Sequence, residues 1–361
     1  HVSKDNYLSI TGITKHTNQV IHSTCSFQLS GSYQEAYEKS EQKVMKEFKI
    51  NLEQEKEIVL KKIICNTVIE EAANDASIEF NVKSSERYES SKAWNYETLM
   101  KNNTLWWEEI WKESDIIIEG DELNQQGIRF CIFQMHQTYH GAKMGTNIGA
   151  KGLTGEAYSG NAFWDTETYC LPFYIFNNVK AARNLLMFRY VTLEEVKNRA
   201  KALDCEGAFY PIATISGREC CSLWQHASLQ LQASTGVAYG IWIYERITKD
   251  ESFVEEYGLP MLIEICRMLA TRGDFSSDGT RYGYYGVMGP DEFQMMVNHN
   301  CYTNYMGKMT LLYTLDVLNR LQKNNQSLYQ KQVNDSSLKD KEIKRWSQIA
   351  EAMYIPYDDT T

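Results

Sequence analysis

What this chain lacks narrows its function before any motif is read. It has only 5 prolines and 21 glycines in 361 residues, too few for a disordered or low-complexity chain. No run reaches the ~18 consecutive apolar residues of a membrane span. The opening His-Val-Ser-Lys-Asp-Asn has no signal-peptide shape and no initiator Met. Basic residues are the minority, 37 against 47 acidic, giving a formal net charge of −10. That balance argues against nucleic acid or an anionic membrane as partner. The 9 cysteines are odd in number, and Cys220 and Cys221 are adjacent. With no Cys-x-x-Cys pair, they read as reduced thiols in a reducing compartment, the cytoplasm. Gly-x-Gly-x-x-Gly, Walker and Gly-x-Ser-x-Gly motifs are missing too, which removes the main sequence support for nucleotide enzymes and serine hydrolases.

What is present is a rich apolar content, 43% hydrophobic with 12% aromatic, enough for a substantial core. Residues 1–83 read as strands: Tyr7–Thr11, Thr24–Leu29, Glu47–Leu52 and Glu57–Cys65 alternate. Short polar links between them predict the end portion of a β-sandwich domain. From Ser84 the pattern turns helical. Residues 84–120 are expected to be a helical linker, with Trp106, Trp107, Ile110 and Trp111 on one face. Residues 121–361 carry helical segments near 125–139, 170–177, 179–190, 193–203, 228–247, 252–272, 302–323 and 337–352. Loops 204–227 and 273–301 between them are rich in glycine, aromatics and acids. Paired helices with long loops at one end predict a mainly α fold, an (α/α)6 barrel. Twelve helices with their connections need well over ~300 residues. The barrel is therefore expected to be incomplete here, and Tyr354–Thr361 reads as mid-loop in a longer polypeptide.

Two clusters carry the chemistry. Gly160-Asn-Ala-Phe-Trp-Asp-Thr-Glu-Thr-Tyr169 and Gly289-Pro-Asp-Glu-Phe293 each precede an apolar run at helical spacing. Carboxylates and a tryptophan in loops before helices suit a sugar pocket, because hydroxyls need acceptors and the C–H face needs an aromatic platform. Glu292 is the candidate general acid, with Asp291 beside it to favour its protonated form by like-charge repulsion. Phe163, Trp164 and Asp165 would hold the sugar ring. Trp224, Gln225 and His226, with Gln230 and Gln232, sit in a polar stretch that can line an acceptor pocket. Each also has a plain structural explanation. Pro-Asp-Glu is an ordinary helix start, Asp165 can be a cap, Trp164 can be core and His226 can lie in a solvated loop. Glu219 is a further loop carboxylate. His136 and His140 have i, i+4 spacing but no clustered partners, so no metal site is expected.

Several ordered stretches together resemble glycoside hydrolase family 65, the inverting α-glucoside phosphorylases. They are Trp107-Glu-Glu-Ile-Trp111, Asp115–Asp121, Gln126–Phe130, Ile148–Gly155, Phe163–Glu167, Gly289–Glu292 and Tyr302-Thr-Asn304. The resemblance implies an (α/α)6 barrel joined by linker helices to a β-sandwich. It implies Glu292 as general acid, and Trp164 and Asp165 on the non-reducing glucosyl unit. Inorganic phosphate would be the co-substrate and nucleophile, an α-glucosyl disaccharide or oligosaccharide the substrate, and no cofactor is implied. A homodimer is expected, or association with a polypeptide completing the barrel. Ser159 and Asn161 stand where the family often has Arg and His. Trp224-Gln-His226 stands where it often has Glu-Ile-His, which leaves the linkage open. The chain ends before the family's Lys-Gln pair and phosphate loop, so by itself it is expected to be inactive. An inverting α-glucosidase of the same clan and a non-catalytic sugar-binding scaffold are the alternatives.

Overall fold

A computed structural model describes residues 7–15, 19–69, 90 and 94–357. The chain divides into two compact units, His1–Glu113 and Ser114–Thr361. The sequence boundary placed at residues 83 and 84 lies outside the described residues.

In the first unit, strands β1 (Tyr7–Ile13), β2 (Val20–Leu29) and β5 (Leu60–Ile69) form an antiparallel sheet in the order β1-β2-β5. The register sets Leu8 opposite Cys25 and Cys25 opposite Ile64. Side chains alternate across a strand. Cys65 and Thr67 are accordingly buried while Ile64 and Val68 face out. Strands β3 (Tyr33–Lys39) and β4 (Val44–Ile50) form a second pair. The ring of Phe27 on β2 meets that of Phe48 on β4 edge-on at 5.5 Å, so the sheets touch. Strand β3 is exposed along its whole length. It shows no burial alternation, which is why its Tyr-Gln-Glu-Ala-Tyr-Glu-Lys sequence gave no strand signal. Helix α1 (Tyr96–Ser114) carries the tryptophan cluster, with Trp107 and Trp111 one turn apart and stacked at 6.2 Å.

The second unit is mainly helical. Helix α2 (Glu122–Thr138) starts at Asp121, whose carboxylate accepts from the Asn124 N–H at 3.0 Å. A short strand, β6 (Ala162–Phe163), leads through a widened turn at Thr166–Cys170 into α3 (Leu171–Asn177). Then come α4 (Val179–Val191), α5 (Leu193–Ala202), β7 (Ala213–Thr214), α6 (Trp224–Leu229) and α7 (Gln232–Thr248). Helix α8 (Glu251–Phe253) runs through a widened turn at Val254–Gly258 into α9 (Leu259–Arg272). Strands β8 (Asp274–Phe275) and β9 (Tyr282–Gly283) pair before α10 (Cys301–Asn324), α11 (Gln326–Asp335) and α12 (Asp340–Ala352).

Helix α7 is the hub and packs against α3, α4, α9 and α10. It is apolar nearly all round, with Val237, Ala238, Ile241 and Tyr244 buried, as a helix enclosed by others must be. Each fully buried Val, Leu or Ile stabilises the fold by about 1.5–3 kcal/mol. Gly240 lets α7 approach closely: a Cβ there would stand 3.1 Å from Leu171 and 3.2 Å from Leu186. The segment read from sequence as one helix over 228–247 is two. It breaks at Gln230, which is extended (φ −93°, ψ 102°). The segment read over 337–352 begins at Asp340, and α11 precedes it, with a turn at Ser336–Ser337 between them. No helix of the described residues is long and apolar enough to cross a membrane.

Candidate active site

The Phe-Trp-Asp segment is fixed from behind. Tyr158, Ser159 and Gly160 have φ of 61°, 52° and 72°, a left-handed run that reverses the chain into β6. Phe163 pairs with Ala213 on β7. Arg189 of α4 donates to both oxygens of Glu167, at 2.7 and 2.9 Å, and to the Phe163 carbonyl at 3.2 Å. The backbone entering Trp164 is thus held by a buried guanidinium. The Trp164 indole is half-buried and meets the ring of Tyr302 edge-on at 6.2 Å. Burial pushes the Tyr302 phenol up to about 12, so it stays neutral. Asp165 has helical backbone angles, is exposed and makes no capping bond. Its carboxylate is not spent on starting a helix, which removes the cap explanation.

The second cluster is tied to the break between α6 and α7. The Met288 N–H donates to the Leu229 carbonyl at 2.9 Å. Gln232 Nε2 donates to the Gly289 carbonyl at 3.2 Å. A Cβ on Gly289 would lie 2.4–2.6 Å from the Asn300 side chain, so glycine fits while Asn300 keeps its place. No helix starts at Pro290. Asp291 instead accepts from the Phe293 N–H at 3.1 Å, closing a local turn. The next helix, α10, is capped by Asn300, which accepts from the Thr303 N–H at 3.0 Å. The helix-start explanation for Pro-Asp-Glu therefore falls. Glu292 projects with its side chain 53% exposed. Its Oε1 accepts from Gln230 Nε2 at 2.9 Å and lies 3.2 Å from His226 Nδ1.

The two clusters, far apart in sequence, meet at the N-terminal end of α7. Gln232 holds Gly289 there, and one turn further on Gly236 faces Trp164, with its Cβ position 3.6 Å from Cε3. Tyr302, against Trp164, follows Asn300, against Gly289, by one intervening residue. Gln230 Oε1, Gln232 Oε1 and Thr235 Oγ1 are buried at this end with no hydrogen-bond partner among the described residues. Unpaired buried groups cost about 1–3 kcal/mol each, so three at one helix end call for a partner such as water, an ion or a ligand.

The other predicted positions fall differently. Trp224, Gln225 and His226 form the first turn of α6 rather than a loop. Of these three, His226 reaches Glu292, while Trp224 is exposed. Glu219 is structural. It accepts from the N–H groups of Ile212, Ala213 and Cys221 at 3.0–3.2 Å and pairs with Arg199 at 3.0 Å. Arg199 also donates to the Ala227 carbonyl, coupling β7 to α6. His136 is a core residue, its Nε2 3.0 Å from Ser114 Oγ. Arg189 was missed by sequence reasoning. Its signal was an arginine one position beyond the fully apolar Leu185–Phe188 run of α4.

The segments bearing Glu292, Trp164 and Asp165 are thus tied to one end of α7 on a helical scaffold. The chain belongs to glycosyl hydrolase family 65, whose central catalytic domain matches residues 129–361. It is 38% identical over 273 residues to an α,α-trehalose phosphorylase of Thermoanaerobacter brockii, covering 75% of this chain and 35% of that protein. It is 38% identical over 265 residues to a maltose phosphorylase of Bacillus subtilis, covering 73% and 34%. A solved structure named "Putative kojibiose phosphorylase from human microbiome" superposes with a TM-score of 0.88 at 40% identity, covering 99% of this chain and 47% of that one. The chain thus spans less than half the length of these relatives.

Proposed function

We propose that this chain forms part of an inverting phosphorylase, which converts an α-glucosyl disaccharide or oligosaccharide and phosphate into β-glucose 1-phosphate and a free sugar. Its helical unit would be part of an (α/α)6 barrel, and the sheets of the first unit part of a β-sandwich. The observation that carries the reading is the placement of Glu292. Its carboxyl is held at Oε1 by Gln230, and its loop is tied to the same end of α7 that faces Trp164.

In this reading Trp164 offers its face to the glucosyl ring and Asp165 accepts from ring hydroxyls. Glu292 gives a proton to the glycosidic oxygen as the C1–O bond breaks, and the bond's electron pair goes to that oxygen. Phosphate attacks C1 from the opposite face and inverts its configuration. Phosphate is itself a nucleophile, so no second carboxylate is needed to activate water. The trehalose, maltose and kojibiose phosphorylases among the relatives support phosphorolysis as the reaction class.

The test is incubation of the intact protein with a panel of α-glucobioses, with and without phosphate. Turnover that requires phosphate and releases glucose 1-phosphate is expected. Equal turnover without phosphate would replace this reading with the hydrolase. Glu292→Gln should reduce turnover of an unactivated disaccharide by at least about 100-fold.

A further inference from the structure

We infer that Gln230 is a positioning residue that favours a proton on Oε2 of Glu292 by donating to Oε1. The inference rests on Glu292 being the general acid of the proposed reaction.

Gln230 is 1% exposed and sits at the extended break between α6 and α7. Its neighbours on either side belong to the scaffold. Leu229 accepts from the Met288 N–H, and Leu231 is fully buried. Its Nε2 lies 2.9 Å from Glu292 Oε1 and 3.1 Å from Met288 Sδ. An amide nitrogen donates and cannot accept. Oε1 therefore acts as the acceptor in this bond, which favours a proton on Oε2, because a carboxylic acid accepts better at its carbonyl oxygen than at its hydroxyl.

His226 makes the same selection only in the tautomer that carries its hydrogen on Nδ1. Its ring is 24% exposed, and its Nδ1 is 3.2 Å from Oε1 and 3.3 Å from Gln230 Nε2. Depending on the tautomer it donates to the first or accepts from the second, so it adapts to whatever Glu292 does. Gln230 Nε2 carries hydrogens and no lone pair to offer, so as placed it only donates.

The same bond acts during the reaction. When Oε2 gives up its proton, the carboxylate gains charge and the Gln230 N–H bond to Oε1 becomes charge-assisted, roughly twice as strong as its neutral counterpart. The interaction is stronger in the transition state than in the ground state, which is the condition for raising the rate rather than the affinity. Glu292 is exposed on a loop, and the buried amide supplies the anchor that the loop lacks.

The test compares two leaving groups in the intact protein with phosphate present. Gln230→Met keeps the volume and removes the donor. It should lower kcat on an α-glucobiose by at least about 10-fold with KM within about twofold, because general-acid catalysis is what is lost. Turnover of p-nitrophenyl α-glucoside, whose leaving group needs no proton, should fall less than about threefold. Equal losses on both substrates would assign Gln230 a structural role, and no loss on the disaccharide would also overturn the inference. Gln230→Glu gives an independent check should the Met variant fail to fold. Its carboxyl donates only when protonated, so disaccharide turnover should fall more steeply with rising pH than in the wild type. A wild-type profile would overturn the inference. Glu292→Gln separates the two levels. If that variant keeps disaccharide turnover, the general-acid assignment fails and this inference with it. If it loses turnover while both Gln230 variants keep it, only the role of Gln230 fails.

Discussion

Arg189 and Glu167 form a two-pronged ion pair in which both side chains are 1% exposed. The Arg189 carbonyl in turn accepts from the Tyr210 hydroxyl at 3.1 Å. Burying two charges is costly, and a pair of this kind seldom raises net stability over an apolar replacement. Its third bond, to the Phe163 carbonyl, gives it a purpose: it sets the backbone that presents Trp164.

Removing one partner leaves the other charge unpaired. Arg189→Met should destabilise the protein by about 3–5 kcal/mol, read by chemical denaturation. The double replacement Glu167→Leu/Arg189→Met should recover much of that stability and still lose turnover, since Phe163 is no longer held. A double variant that is fully active would detach the pair from the site.

Two glycines one turn apart on α7 should respond in opposite directions. Alanine gains about 0.8–1.0 kcal/mol over glycine in a helix interior. At Gly236 the new methyl meets Trp164 at ordinary contact distance, 3.6 and 3.8 Å. Gly236→Ala should therefore raise the melting temperature slightly. At Gly240 it would meet Leu171, Glu167 and Leu186 at 3.1–3.2 Å. Gly240→Ala should lower the melting temperature, at a cost of about 1–3 kcal/mol from overpacking. Equal shifts would mean that the packing around α7 is not as described.

Acid should weaken the fold through His136. Burial holds its pKa below the usual 6.5, and His140 adds a smaller push the same way. The unfolded chain takes up its proton near pH 6.5, while the folded chain resists until lower pH. Between those points the unfolded state binds more protons, so stability falls as pH falls and levels off below the folded-state pKa. Melting curves between pH 7 and 5 should drop more steeply for the wild type than for His136→Gln. Parallel curves would clear His136 of this role.

The thiols should label in a defined order. Burial raises Cys170 to about 11, with Glu167 and Asp165 adding to the shift, and raises Cys266 to about 12. At pH 8 a thiol of pKa 11 is only about 0.1% thiolate, the form that reacts. Exposed Cys131, Cys220 and Cys301 should react with iodoacetamide first, by mass spectrometry of timed samples, and Cys266 last. Labelling of Cys170 as fast as Cys220 would contradict its burial.

The sequence made some of this legible, for physical reasons. Helices α3, α4, α7, α9 and α10 announce themselves because an apolar face repeats with the helical turn. Strand β3 does not, because neither of its faces is buried. A shared site for Trp164 and Glu292 is an expectation from ordered motifs, while the contacts that tie both their segments to α7 are not readable in sequence. Gln232 to Gly289, Gly236 to Trp164 and Arg189 to Phe163 join residues 26 to 72 positions apart, and no periodicity encodes such distances. Gln230 was visible only as one polar residue in a polar stretch. Its meaning comes from the helix break at which it sits, which helical spacing passes straight over.

Asn300 serves at once as the peg on which α10 hangs and as the doorstop against Gly289. These two duties cannot drift independently. A side chain at 289 would push the Asn300 side chain off the start of α10 or require a smaller cap such as serine there. The acid-bearing loop and the start of that helix are therefore locked in a single register, and change at either must come as a pair.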